Sequence, residues 1–377
     1  MTPYGRNSPI FRCVSWPSPE DLPVRPSWPL NCSRCTAKSG SWNCSASSPS
    51  ITSIWGPSAS VAMDCCTTRK AGAIRERQNI CSPRALPMKN RRRVIVDCDN
   101  TYGLPGLPID DGQTIMYLAG RDDIEIVGIT CTHGNGQVSE VYDATRWLLG
   151  ALGLGDIPVL KGASGPGDFE TEAADWLARI IDAEPGNLDL LAIGTMTNLL
   201  AAQRKNPSCL SMLRSITAMG GYLYPLPVRG WNRIGEVNLS RDPEATAALL
   251  HASCPVTVMS AQICLQAPFG IDELAPIAES DRASYQYMLS YLLGMIRRHG
   301  GAQEYLWDLL PAVYLSHPEL FHRNEVRIST DPATLSGGYL LKSETGTRIN
   351  LPDYIVDIDA LYAYLYAAWK RAPLKPI

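Results

Sequence analysis

The sequence predicts an α/β domain: a mostly parallel central sheet flanked by helices. Short apolar runs alternate with stretches of helical spacing from about residue 92 onward. Those runs are apolar on both sides, as expected of strands covered by helices on two faces. The chain has 377 residues, 45% hydrophobic and 19% charged, which is long enough and apolar enough for a large core.

The elements follow in order. "RVIVD" is a short apolar strand, and "DGQTIMYLAG" is a helix with Asp at its start. "IEIVGITCT" is a second buried strand. "SEVYDATRWLLGALG" has helical spacing at Val141, Ala144, Leu148 and Leu152 and stops at Gly153. "IPVLKGA" is strand-like and "ETEAADWLARIIDA" helical; "LDLLAIG" is a strand, with the helix "MTNLLAAQRK" after it. "SITAMGG", "DPEATAALLHAS" and "CPVTVMS" continue the alternation, and "VDIDALYAYLYAAWKRA" is an amphipathic terminal helix, placed over the sheet or at a subunit contact. In sheets of this kind ligands bind beyond the carboxyl ends of the strands, where "DCDN", "CTHGN" and "IGTMTN" fall.

Residues 1–90 differ from the rest. They hold 11 Lys+Arg against 4 Asp+Glu and seven of the twelve cysteines, in a chain whose net charge is -3. Ser and Pro are dense and no periodicity is sustained, so too little apolar surface is available to offset the entropy of ordering. The expectation is a disordered or adventitious segment, with Met88 a candidate start and a catalytic domain over 91–377. Cys32 and Cys35 have zinc-ligand spacing, but no second pair completes a site. Cys98, Cys131, Cys209, Cys254 and Cys264 sit in apolar contexts and read as buried thiols of a reducing compartment. No apolar h-region opens the chain and no run is long enough to span a membrane, so a cytoplasmic protein is expected. The near-neutral balance gives no reason to expect a nucleic-acid partner.

The densest chemistry lies in "VDCDNTYGLPGLPIDDGQ", where Asp97, Asp99, Asp110 and Asp111 surround a Gly- and Pro-rich loop directly after the first strand. Asp97 and Asp99 point to the same side of an extended chain, and Asp110 and Asp111 begin a helix whose dipole favours anions. Helix capping accounts for one or two of them. Four carboxylates beside a buried strand would repel one another unless a cation held them, and hard oxygen ligands suit Ca²⁺ or Mg²⁺.

Two families share parts of this pattern. "VIVDCDNT" resembles the first motif of the haloacid dehalogenase-like phosphohydrolases, with Thr195 as a candidate for their later hydroxyl, but no Lys fits and the acidic pair comes too soon. The stretch also resembles the DxDxGxDD signature of the inosine-uridine-preferring nucleoside hydrolases, here lengthened by "TYGLPGL". That second resemblance continues in order through "VGITCTHGN", "LAIGTMTNLLAA", "SITAMGGYL", "GEVNLSRDPEAT" and "WDLLPAVYLSHPELF".

The nucleoside hydrolase resemblance implies a Rossmann-related fold and hydrolysis of the N-glycosidic bond of ribonucleosides. It implies Ca²⁺ held by Asp99, Asp111, Asp308 and the backbone carbonyl of Ile193, with Asp97 in support. Asp110, Asn135, Glu236 and Asn238 then match ribose-binding positions, and Asn232 is a looser match. Asp99, touching both metal and water, is the implied general base. The implied partner is a small-molecule nucleoside, in a homo-oligomer (dimer or tetramer). Trp307 stands where many members carry a His that protonates the leaving base; a purine-preferring branch has Trp-Asp there and stacks the indole on the base. The other readings are a phosphohydrolase and a degenerate sugar-binding relative, against which the complete Asp99/Asp111/Asp308 set speaks. His133 reads as a satisfied loop histidine, Gly220-Gly221 as a tight turn, and Tyr285, Met288, Tyr291, Leu292 and Met295 as helical packing.

Overall fold

In a computed structural model of the chain, the described residues are 91–226, 235–278, 288–289 and 304–372. All belong to one compact unit, Gln78–Ile377. The expectations for the N-terminal segment, its Cys32/Cys35 pair, Asn232, Tyr285, Tyr291, Leu292 and Met295 lie outside the described residues; Met288 is fully buried.

The first strand, β1 (Arg92–Cys98), runs parallel to β2 (Ile124–Cys131) on one side and to β4 (Leu188–Ala192) on the other. Beyond β2 lies β3 (Val159–Lys161); beyond β4 come β5 (Ser215–Met219) and β6 (Val256–Met259), all parallel. Two strands not anticipated from the sequence extend this edge: β10 (Thr347–Asn350) pairs parallel with β6, and β9 (Glu325–Ile328) pairs antiparallel with β10. The eight-stranded order is β3-β2-β1-β4-β5-β6-β10-β9. A separate short ribbon joins β7 (Pro268–Phe269) to β8 (Glu304–Tyr305).

The order fixes where a site belongs. The chain travels outward from β1 through β2 to β3, then returns to β4 on the opposite flank of β1. That reversal opens a crevice at the carboxyl ends of β1 and β4, where ligands collect in open α/β sheets.

Successive residues of β1 serve opposite faces, as the pleat requires. Val94, Val96 and Cys98 enter one core cluster, built with α1 (Asp110–Ala119), α2 (Val138–Ala151), α8 (Leu309–Ser316) and α10 (Ile358–Arg371). Ile95 enters the other, with α3 (Glu172–Ala183), α4 (Thr197–Lys205) and α5 (Pro243–Leu250). The terminal helix covers α1: Leu361, Leu365 and Ala368 are fully buried, and the Trp369 indole N–H donates to the Gln113 carbonyl at 3.0 Å. The shorter helices α6 (Ala261–Cys264), α7 (Ile271–Ala278) and α9 (Pro332–Leu335) complete the described chain. The five cysteines among the described residues are buried free thiols.

Candidate active site

The loop between the two acidic pairs is closed by its own residues. The Asn100 side-chain oxygen accepts the Tyr102 N–H at 2.9 Å, and its amide donates to Thr145 Oγ1 on α2 at 3.1 Å. The Thr101 hydroxyl reaches forward to the Pro108 carbonyl at 2.8 Å, clasping the ends of the loop. Gly103 and Gly106 take positive φ (103° and 82°), supplying the turns. Tyr102 is 1% exposed and stacks on Trp147, ring centroids 6.5 Å apart. The lengthened loop thus folds back and sets Asp110 and Asp111 at the start of α1, with no side-chain cap to compete for them.

Carboxylate oxygens of Asp110, Asp111 and Asp308 then lie within 4.8 Å of one another. Asp308 stands at the N-cap of α8, so a helix N-terminus faces the cluster from each side. This set differs by one member from the expected Asp99, Asp111 and Asp308. The Asp99 backbone N–H donates to Asp111 Oδ1 at 3.3 Å, but its own carboxylate is turned to the loop after β2, accepting the Asn135 N–H at 2.5 Å. Gly134 permits that approach, since a Cβ there would fall 1.8 Å from Asp99 Oδ2. The Ile193 carbonyl accepts an Asn238 amide hydrogen at 2.9 Å, leaving its second lone pair. Asp97 lies behind the cluster, its Oδ1 held by Thr130 at 2.5 Å and Asn198 at 2.7 Å.

The electrostatics are those of acids buried close together. Burial pushes Asp97 and Asp99 each up to about 7, against the opposing hydrogen bonds just named. Burial, reinforced by Asp99 and Asp110, holds Asp111 well above the usual carboxylate range; burial and the same neighbours with Asp111 do so for Asp308. Burial also raises Asp110, though a hydrogen bond with Asp308 limits the shift. Oxygens Asp97 Oδ2, Asp110 Oδ1, Asp111 Oδ2 and Asp308 Oδ1 are buried with no hydrogen-bond partner among the described residues. Buried acceptors left unpaired are costly, and hard oxygen donors in this number fit a divalent cation of the Ca²⁺ or Mg²⁺ kind.

Beside the cluster opens a cavity of about 230 Å³. Asp110, Asn135, Glu236, Asn238, Trp307 and Asp308 line it; Asp97, Asp99, Asp111 and Ile193 stand outside its lining. Glu236 is more committed than its ribose role implies: its carboxylate accepts backbone N–H groups of Gly221 (3.2 Å), Leu239 (2.9 Å) and Ser240 (2.6 Å). His133 is 9% exposed and outside the lining; its Nδ1 lies 3.2 Å from Thr195 Oγ1, and Nε2 has no partner among the described residues. The Thr195 hydroxyl is spent on the His133 carbonyl at 2.8 Å, so it is not offered to a phosphate. Sequence reasoning missed Glu304, Gln113 and the apolar wall of Met219, Tyr222 and Phe269. Their one trace was Glu304 standing three residues before Trp307.

A mostly parallel sheet whose acidic mouth could hold a metal ion, beside a part-apolar cavity, is the setting of a site for a small polar molecule. Residues 94–360 match the family described as "Inosine-uridine preferring nucleoside hydrolase". The chain is 26% identical over 273 residues to "Uridine nucleosidase 1" of Arabidopsis thaliana, covering 63% of this chain and 78% of that protein. It is 26% identical over 205 residues to the inosine-uridine preferring nucleoside hydrolase of Leishmania major, covering 47% and 62%. The solved structure of a purine-preferring ribonucleoside hydrolase from Gardnerella vaginalis shares the fold, with a TM-score of 0.64 at 20% identity over 75% of this chain and 100% of that one. The chain belongs to the inosine-uridine preferring nucleoside hydrolase family, hydrolases of the ribonucleoside N-glycosidic bond.

Proposed function

We propose that this protein is a Ca²⁺-dependent ribonucleoside hydrolase in which Asp99 activates the attacking water, with a preference for purine nucleosides. The observation that carries the reading is the buried set Asp110, Asp111 and Asp308: one oxygen of each, with Asp97 Oδ2 behind them, lacks a hydrogen-bond partner among the described residues. Asp99, Asp111, Asp308 and the Ile193 carbonyl would hold the ion. When bound, Ca²⁺ would neutralise the cluster, grip the ribose cis-diol and make a water easier to deprotonate.

The rest is the work of side chains. Asp110, Asn135 and Asn238 face the ribose hydroxyls from the cavity wall, and Glu236 orders the turn that presents Asn238. Breaking the glycosidic bond builds positive charge on the ribose ring, which a carboxylate-lined wall stabilises. Asp99 is buried at the mouth of the sheet beside Asp111, where a carboxylate can take a proton from a water held at the same place. At the leaving-base end Trp307 offers an indole face rather than an acid, and purines present more stacking surface than pyrimidines. The catalytic unit is residues 91–377.

The deciding assay sets the purified protein against inosine, adenosine, guanosine, uridine, p-nitrophenyl riboside and p-nitrophenyl phosphate, with and without a chelator. Turnover of nucleosides, restored by Ca²⁺ after chelation and fastest on purines, is expected. Phosphate-ester hydrolysis alone would overturn the reading, and faster uridine turnover would overturn the purine preference.

A further inference from the structure

We propose that Glu304 is a positioning residue for the leaving base, acting through Trp307; the inference rests on the nucleoside hydrolase reading above. The Trp307 indole N–H donates to Glu304 Oε1 at 2.8 Å, and the same oxygen accepts the Tyr305 backbone N–H at 3.2 Å. Both Glu304 and Trp307 line the cavity. The Glu304 main chain is anchored in turn: it lies on β8, in register with Phe269 of β7. The Tyr305 ring meets the indole edge-on, centroids 5.3 Å apart, and Cys264 Sγ lies 3.6 Å from the Trp307 carbonyl. The indole is therefore held at its N–H, its flank and its main chain.

The chemical consequence follows from the indole's donor inventory. Its single polar hydrogen is spent on Glu304, so Trp307 has none to give a base. What remains for the cavity is the π face. An N–H donating to an anionic oxygen leaves that face more electron-rich, and an electron-rich face favours a cation stacked upon it. A purine becomes such a cation when solvent protonates a ring nitrogen. As the C1′–N bond breaks, its electron pair passes to the base and the solvent proton stays there; the attacking water bonds to C1′ and loses its proton to Asp99. Glu304 is unchanged throughout. The other lining carboxyls have other duties: Asp110 and Asp308 belong to the acidic cluster, and Glu236 is held by backbone N–H groups.

The test compares Glu304→Ala and Glu304→Gln in the full chain with Ca²⁺ present, on inosine and on p-nitrophenyl riboside, whose nitrophenolate leaves without a proton. Alanine should lower kcat on inosine by about a hundredfold and on the nitrophenyl substrate by less than about fivefold. Glutamine keeps an oxygen for the indole N–H but not the charge, and should recover about half of that loss on a logarithmic scale. Because glutamine is nearly isosteric, it keeps the test readable even if alanine fails to fold. Equal losses on both substrates, no loss on inosine, or glutamine as good as glutamate would each overturn the proposal. An unmodified protein inactive on both substrates would instead overturn the nucleoside hydrolase reading.

Discussion

Asp308 joins the acidic cluster from the far end of the domain, and no other residue can supply its oxygen from α8. Asp308→Asn keeps the shape and removes the charge. It should weaken Ca²⁺ binding and lower kcat by more than about a hundredfold, since even outer partners of metal ligands cost that order; calorimetric Ca²⁺ titration beside steady-state kinetics checks both. Trp307 makes the opposite kind of prediction, one of selectivity. Trp307→Ala should reduce inosine turnover by at least about tenfold more than p-nitrophenyl riboside turnover, because only the purine needs help to leave. Equal losses would mean that the indole merely shapes the pocket. The five carboxylates were legible in the sequence because four crowd one loop and the fifth sits in a recognisable helix start. Their exact neighbours were not: that Asp99 turns to Asn135, or that Glu236 spends its oxygens on backbone N–H groups, depends on loops whose path no local pattern encodes.

At the scale of elements, the lengthened loop before α1 is the part most peculiar to this chain. Its plug is Tyr102, buried against α2 through Trp147 and against α1 at Gly112, where a Cβ would come within 2.3 Å of the Tyr102 side chain. Tyr102→Ala should cost about 3 kcal/mol of stability, as aromatic-to-alanine changes in cores do, and should raise KM as Asp110 loses its backing. A denaturation midpoint and a KM measured on the same preparation check this. Strands β1, β2, β4, β5 and β6 and helices α1 to α5 and α10 could be read directly, because continuous apolar runs and capping residues mark them. The edge pair β9–β10 and the ribbon β7–β8 could not. They are four residues or fewer, and what makes them strands is a neighbour's exposed edge rather than their own pattern.

For the whole molecule, the buried acids couple stability to pH and, on the proposed function, to calcium. Asp97 and Asp99 titrate near 3.8 in the unfolded chain and near 7 in the fold. Between those values the native state keeps protons that the unfolded state has released, so metal-free stability falls as pH rises. Chelated protein should lose about 3 kcal/mol or more between pH 4.5 and pH 7, read from melting curves. Asp189 has the opposite sign: burial is outweighed there by Arg92, Arg214 and Ser215, so its contribution is lost only in stronger acid. Added Ca²⁺ should flatten the profile, giving about 2.7 kcal/mol at a hundredfold excess over its Kd; a profile already flat in chelator would refute the coupling. A chain starting at Met88 should fold and keep full activity, since sheet and site both begin after it; insoluble protein would show that the earlier residues are needed.

The reversal of strand order beside β1 has a consequence in time as well as space. The ribosome delivers Asp99 just after the opening strand and Asp111 with α1, the Ile193 carbonyl midway and Asp308 only after β6. A nascent chain therefore carries its first acids without Asp308 through most of its synthesis, and a cation held by the whole cluster would find its full set only once α8 docks. On the calcium reading proposed above, the ion would act as a late seal on the finished product, and a chain stalled before Asp308 should fail to retain it.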